Sequence, residues 1–333
     1  MHPAFLMFRD GIDWVRRARQ LVPAQDRRVL LSPPRLVVRF ARFALARMGG
    51  LSREDDAGDD EARDPELVKL LMDFFRAVGR HYFRLRIEGV EQLPPSGPVL
   101  LVGNHNGGLL PTDGFFAGLG IYDRFGPGRA MYALAHDFLF HDPLLRSYAL
   151  RLGMLRAGHE SARRILGAGH CLLVYPGSDL DAFRAFRERG RVVLGGRKGF
   201  LKLALRERVP IVPVVSAGTH EQMIVLTRGD RLARWIHAHA WVRADIFPLM
   251  LALPWGLMVG FVPYLPLPAQ TTVAFGAPIS WPELSPADAD RPEVLERCYR
   301  EVEDHMQRML DQIDDGRRFL LGKKEEAFHA APR

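Results

Sequence analysis

The chain has 333 residues, 47% of them hydrophobic, two cysteines and a net charge of +7. That length allows one large domain with end decorations or two ordinary ones, and the apolar content excludes a disordered or collagen-like chain. Two cysteines, Cys171 and Cys298, exclude a disulfide framework and suggest a reducing compartment. The charge is uneven: residues 1–50 hold ten arginines and three aspartates, so the whole surplus lies there and the rest of the chain sums to zero.

Residues 1–50 form a basic amphipathic N-terminal region. Arg9, Asp10 and Asp13 interrupt its opening apolar run, which argues against a signal peptide. Between Arg35 and Arg47, Arg35, Arg39 and Arg42 recur at helical spacing among Leu36, Val37, Val38, Phe40, Phe43 and Leu45. Such a helix either lies on anionic lipid or packs on the body of the protein. No zinc-finger, RNP or KH signature points to nucleic acid. Residues 51–65 read as an acidic linker, with seven acids between Glu54 and Asp64. From Pro65, the spacing of Leu67, Leu70, Leu71, Phe74, Phe75 and Val78 predicts a helix stopping near Gly79.

Strands and helices then alternate. Residues 85–89, 99–104, 171–176, 210–215 and 271–276 read as strands, and residues from about Asp113, 159–168 and 201–209 as helices, with Gly118 and Gly120 near the end of the first. Pro292 to about Leu321 reads as a C-terminal helix. The pattern predicts an α/β fold: a central, largely parallel or mixed sheet flanked by helices, with N-terminal amphipathic helices and a C-terminal helix. The α/β domain covers 66–283, and 284–333 is a helical extension packed on it. No charged side chain occurs from Ile246 through Pro282. The apolar run from Ile246 to Ala269 is long enough to span a bilayer, but five prolines argue against one regular spanning helix. It is read as a broken segment, buried as ordinary core, lining an acyl-chain groove or lying in the membrane interface.

Three clusters could carry chemistry. In VGNHNGGLLPTDG, residues 102–114, a buried strand delivers His105 into a glycine-rich turn, with Asp113 eight residues on. Histidine suits proton transfer near neutrality, and a carboxylate on one ring nitrogen leaves the other free as base. Gly107 and Gly108 let backbone approach a substrate. A turn histidine with Asp113 as helix cap is the alternative. In YPGSDLDAFR, Tyr175, Pro176, Gly177 and Ser178 follow another buried strand and form either a ligand loop or a surface turn. Without a G-x-S-x-G elbow, Ser178 is a weak nucleophile candidate. GGRKGF presents Arg197 and Lys198 before a helix, as a phosphate-holding loop or a solvated basic turn. His220 and Glu221 follow the fourth strand, as residues of a pocket border or of a plain turn. No metal-ligand motif is present.

The order of these clusters resembles the PlsC-type glycerolipid acyltransferase family over about residues 85–280. NHNGGLLPTD resembles its first block, LGMLRAG (152–158, with Arg156) its second, YPGSDLDAFR its third and VPIVPV (209–214) its fourth. Two departures matter. Leu110 stands where the usual aspartate would, and Asp113 fits instead a branch with H-x-G-G-x-x-P-x-D, which includes enzymes of neutral glycerolipids. The usual Phe-Pro-Glu-Gly-Thr-Arg of the third block is Tyr-Pro-Gly-Ser-Asp-Leu, so its phosphate-binding Glu/Arg pair is missing. Arg184 can replace that arginine only if the following helix turns it inward.

The resemblance implies an O-acyltransferase that moves a fatty acyl group from acyl-CoA or acyl carrier protein to a glycerolipid hydroxyl, a neutral mono- or diacylglycerol or a lysophospholipid. His105 would be the base, Asp113 its orienting carboxylate, and the amides of Gly107 and Gly108 the oxyanion donors. Arg197 and Lys198 would face donor phosphates, and Arg156 or Arg184 the acceptor. No tightly bound cofactor is implied. The partners would be membrane lipid and the acyl donor, at the cytoplasmic face of a membrane, peripherally or monotopically. A thioester or lipid-ester hydrolase and a non-enzymatic lipid-binding protein are the competing readings.

Overall fold

Short strands that are apolar on both faces form the centre of the architecture. The computed structural model describes residues 13, 15–17, 19–30, 62–140, 142–242 and 245–323. Strands are numbered along the chain: β1 (Arg86–Glu88), β2 (Val99–Gly103), β3 (Met131–Ala135), β4 (Met154–Arg156), β5 (Cys171–Val174), β6 (Ile211–Ala217), β7 (Ile224–Thr227), β8 (Leu249–Ala252), β9 (Gly256–Val259) and β10 (Thr272–Phe275). Seven of them form one sheet in the order β1-β10-β6-β2-β5-β3-β4, and β7-β8-β9 form a small antiparallel one. In the large sheet β6, β2, β5, β3 and β4 are mutually parallel, while β10 runs antiparallel to β6 and carries β1 parallel to itself.

Successive residues of β2 point to opposite faces. Leu100 and Val102 join a core with the Gly199–Glu207 and Pro292–Asp314 helices. Val99 and Leu101 join another with the Pro65–His81 and Thr112–Phe125 helices. Helices on both faces explain why the central strands are apolar throughout. The C-terminal helix contributes Val294, Leu295, Cys298, Val302, Met306 and Leu310 to the first core, so it shares the domain's interior. Asp64 caps the Pro65–His81 helix by accepting the N–H groups of Glu66 and Leu67.

Several boundaries differ from the sequence reading. The stretch between the Thr112–Phe125 helix and the His159–Gly167 helix contains β3, the Pro143–Arg151 helix and β4. None of the three was assigned, because MYALA and MLR are too short to show a period. Gly118 and Gly120 lie inside their helix, where Gly120 admits Ile87 of β1: a Cβ there would sit 2.9 Å from its Cγ2. The C-terminal helix stops at Asp314 rather than near Leu321, and Gly316 with φ 68° turns the chain away. The apolar stretch after Ile246 folds as the β8–β9 hairpin and the coil beyond it. Among the described residues no helix is long and apolar enough to cross a membrane. The 35–47 helix, and the acidic linker up to residue 61, lie outside the described residues.

Candidate active site

Three adjacent strands, β5, β2 and β6, send loops out at one edge of the sheet, the carboxyl edge where open α/β sheets bind ligands. From β2 comes Asn104–His105–Asn106, from β5 Tyr175–Pro176–Gly177, and from β6 the turn carrying Thr219 and His220. Two asparagines tie the first loop to the third. Asn104 accepts the Ser216 N–H at 2.8 Å and donates to the Ser216 carbonyl at 3.2 Å; Asn106 Nδ2 donates to the same carbonyl at 2.6 Å.

The turn folds back and brings imidazole and carboxylate together. His105 Nδ1 lies 3.0 Å from Asp113 Oδ2. That oxygen also accepts the N–H of Asn106 at 2.7 Å and of Gly107 at 3.3 Å, while Oδ1 accepts the Gly114 N–H at 2.9 Å. A carboxylate surrounded by donors accepts from its neighbours, so Nδ1 carries the imidazole proton and Nε2 carries the lone pair. Among the described residues nothing hydrogen-bonds Nε2. Burial disfavours the His105 cation, but the Asp113 charge and hydrogen bond outweigh it and raise the pKa above the ordinary histidine value. Burial likewise works against the Asp113 anion, and His105 with the surrounding amides overcomes it, holding the carboxyl below its usual range.

Tyr175 stacks on the imidazole, with ring centroids 4.5 Å apart and planes 20° from parallel. Gly103 makes room for it: a Cβ at that position would stand 2.4 Å from the Tyr175 ring. The backbone of His105 is gripped from both sides. Asp181 Oδ2 accepts its N–H, and Arg184 Nη1 donates to its carbonyl at 3.5 Å. Asp181 and Arg184 are themselves paired at 2.8 Å with no solvent exposure. Burial pushes the Asp181 carboxyl up to about 6 against the pull of Arg184.

This geometry revises several candidate roles. Arg184 does turn inward, but its donors are engaged by Asp181, Asn106 Oδ1 and the carbonyls of Glu188 and Arg189. It is a strut of the loop rather than an acceptor-binding cation. Glu221 points away, accepting from Arg317 at 3.5 Å and from the Leu320 N–H at 2.6 Å, so it anchors the C-terminal turn. His220 is buried, and its Nε2 donates to the Arg184 carbonyl at 2.8 Å; desolvation lowers its pKa to about 3, leaving it neutral. Lys198 pairs with Glu296 at 2.7 Å. Arg156 ends β4, three strands from β2 and so on the order of 14 Å away, and pairs with Asp137 at 3.3 Å. The Gly107 amide already serves Asp113, while the Gly108 amide, at φ 57°, donates to no described residue. Ser178 makes no hydrogen bond to His105. Arg197 donates to the carbonyls of Pro176 (3.0 Å) and Gly177 (3.2 Å) and remains partly exposed. Cys171 is buried in the core, its thiol pushed up to about 11 by desolvation, far from a thiolate nucleophile.

Asp181, Asn106 and Tyr264 are the site residues the sequence reading left without a role. Tyr264 donates to the Gly107 carbonyl at 2.8 Å, and Met223 packs at Gly108. Both belong to a small core shared with β7–β9, so this sheet sits directly on the histidine loop. The Asp181–Arg184 spacing within one turn was the available signal. The His105 side chain keeps 16% of its surface exposed. A 600 Å³ cleft lies elsewhere, against β1, β10 and the C-terminal helix, and does not include His105.

Gly177 offers a direct check on the loop after β5. A Cβ there would stand 1.9 Å from the Val193 carbonyl oxygen and 2.5 Å from Asp181 Cβ. Gly177→Ala is expected to destabilise by about 1–3 kcal/mol in urea unfolding and to reduce turnover, because Asp181 must shift off the His105 amide.

An imidazole oriented by a carboxylate, its far nitrogen unclaimed by any described residue, has the arrangement that suits transfer of an acyl group to a hydroxyl, and the chain is an O-acyltransferase of the glycerolipid class. It belongs to the diacylglycerol acyltransferase family, whose sequence model matches residues 63–329. An uncharacterised protein of Mycobacterium tuberculosis is 32% identical over 310 residues, covering 93% of this chain and 83% of that one. A human DGAT1/2-independent enzyme synthesizing storage lipids is 31% identical over 173 residues, 51% of this chain and 50% of that one. Human diacylglycerol O-acyltransferase 2 is 26% identical over 235 residues, 62% of this chain and 58% of that one. Among solved structures, the 1-acyl-sn-glycerophosphate (LPA) acyltransferase PlsC of Thermotoga maritima aligns with a TM-score of 0.47 at 19% identity, over 86% of this chain and 97% of that one.

Proposed function

We propose that this chain transfers a fatty acyl group from a thioester donor, acyl-CoA or acyl carrier protein, to the hydroxyl of a neutral mono- or diacylglycerol at the cytoplasmic face of a membrane. The observation that carries it is the His105–Asp113 pair at 3.0 Å with Nε2 unclaimed. His105 Nε2 takes the acceptor hydroxyl proton as the oxygen attacks the thioester carbonyl carbon. The C–S bond breaks, and the imidazolium returns the proton to the leaving thiolate, giving ester and thiol. Asp113 stabilises the transient imidazolium, and the Gly108 amide is the donor we assign to the carbonyl oxygen. Arg197 is the cation we assign to the donor's phosphates.

Two features support a neutral acceptor over a phosphorylated one. The H-x-G-G-x-x-P-x-D form of the first block resembles that of a branch that includes enzymes of neutral glycerolipids, and the inward arginine, Arg184, has its donors engaged by protein. A long acyl chain enters by displacement of the Tyr264 and Met223 contacts over the Gly107–Gly108 turn. The test is purified protein with labelled acyl-CoA or acyl carrier protein and a mixture of monoacylglycerol, diacylglycerol and lysophospholipids, with products identified by mass spectrometry. Acylated neutral glycerolipid is the expected product. Acylated lysophospholipid alone overturns the acceptor, and free fatty acid alone indicates hydrolysis.

Asp113→Asn separates charge from orientation. An asparagine that keeps its oxygen where three donors converge leaves Nδ1 protonated, while it loses the negative charge and sets its NH2 against the Gly114 N–H that Oδ1 accepts. Without the Asp113 charge to oppose burial, the His105 pKa should fall, moving the acid limb of kcat/KM to lower pH. Turnover on the plateau should drop about 10²-fold or more, because the imidazolium formed during transfer loses its counter-charge. An acid limb that does not move refutes the pairing.

A further inference from the structure

Among the described residues, the small sheet leaves one face without a protein partner. Val225, Met250 and Met258 point into the core beneath the catalytic loop, each less than a tenth exposed. The alternate residues point outward. Leu251 and Leu257 are directly opposed across β8 and β9, and are 39% and 61% exposed. Val259, Leu253, Trp255 and Leu265 continue the same exposed apolar set, with Leu253 bridged to Leu265. A half-exposed antiparallel sheet ordinarily places polar residues on its water face, but here no charged residue occurs from Ile246 through Pro282. Charge comes instead in the segment that follows β7, where the chain turns into the Asp230–Trp235 helix, which seats Ala233 in the small core and exposes Arg231, Arg234 and Trp235, the last at 79%.

We infer that the outer face of β7–β9 is a docking surface for an anionic lipid bilayer. An apolar plate, with exposed arginines and an exposed tryptophan on the helix that leaves β7 and packs in the same small core, matches acyl chains and the phosphate headgroups above them. The opposite face of the same three strands carries Met223 and Tyr264 against the histidine loop, so the plate lies between the bilayer and the base that acts on its lipids. The choice of lipid over protein as occupant rests in part on the acyltransfer reading, and the test separates the two.

Vesicles of phosphatidylcholine mixed with phosphatidylglycerol are the probe. The full chain should sediment with them, and Leu251→Asp/Leu257→Asp should lower its partition about tenfold or more, whereas Leu321→Asp, at another exposed apolar residue, should leave it unchanged. His105→Ala should bind as wild type, so loss of catalysis and loss of docking are read independently. A polarity-sensitive dye on Leu257→Cys reports locally, even if the basic N-terminal region also binds or the double variant folds poorly. Its emission should shift to the blue on vesicle addition. A dye that stays in water while the protein sediments overturns the proposal. So does a wild-type dimer that the double variant dissolves with vesicle partition unaltered.

Discussion

Purified His105→Ala is expected to lose acyl transfer by about 10³-fold or more, within the range that a positioned general base contributes, while its far-ultraviolet spectrum and unfolding midpoint stay close to wild type. The side chain's one strong polar contact is Asp113, which keeps the amides of Asn106, Gly107 and Gly114 without it. The loop is fixed by Asp181 and Arg184 on the main-chain N–H and carbonyl of His105, and by the Asn104 and Asn106 side chains on Ser216, all of which alanine at 105 retains. The wild-type pH profile gives the same assignment a second test. A base must be neutral, and the Asp113 charge raises the pKa at which His105 becomes so. Activity should therefore fall as pH decreases through a midpoint above the ordinary histidine value of about 6.5. A profile flat down to pH 5, or normal turnover by the alanine variant, removes His105 from the base role.

Much of this was legible in sequence, and the exceptions have physical causes. The buried strands at 99–104 and 171–176 were visible because both faces are covered, which demands unbroken apolar runs. β3, β4 and the small sheet were not, because three- to five-residue strands carry no distinguishable period. The spacing of His105 and Asp113 does not by itself place the pair in contact. What brings the two together is the closure of Gly107 against Leu110, a position where a Cβ would stand 2.4 Å from a carbonyl oxygen. The charged candidates fared worst. Residue type shows that Arg184, Lys198 and Glu221 bear charge, but only tertiary structure shows that the partners are Asp181, Glu296 and Arg317. The contacts of these three are internal ones. Where the resemblance places a phosphate-binding pair, this chain has in exchange a buried pair that holds the histidine backbone.

That exchange predicts a large stability effect at a residue outside the chemistry. Arg184→Met nearly preserves volume but strands the Asp181 carboxylate, the Asn106 side-chain oxygen and the carbonyls of Glu188 and Arg189 in a site without solvent exposure. Breaking one partner of a buried pair costs about 3–5 kcal/mol, and urea unfolding should show a loss of that order. The exposed Arg163–Glu207 pair, at a similar 3.1 Å, provides the contrast, because Arg163→Met should change stability by about 0.5 kcal/mol or less. Asp181→Asn with Arg184→Met should be less destabilised than the sum of the two single variants, since the double variant strands no charge. Arg184→Met should also lower turnover, because the peptide it helps to clamp carries the base. A stability loss under about 1 kcal/mol, or strict additivity in the cycle, means that the pair is not the strut of the catalytic loop and that Arg184 is free to meet substrate after all.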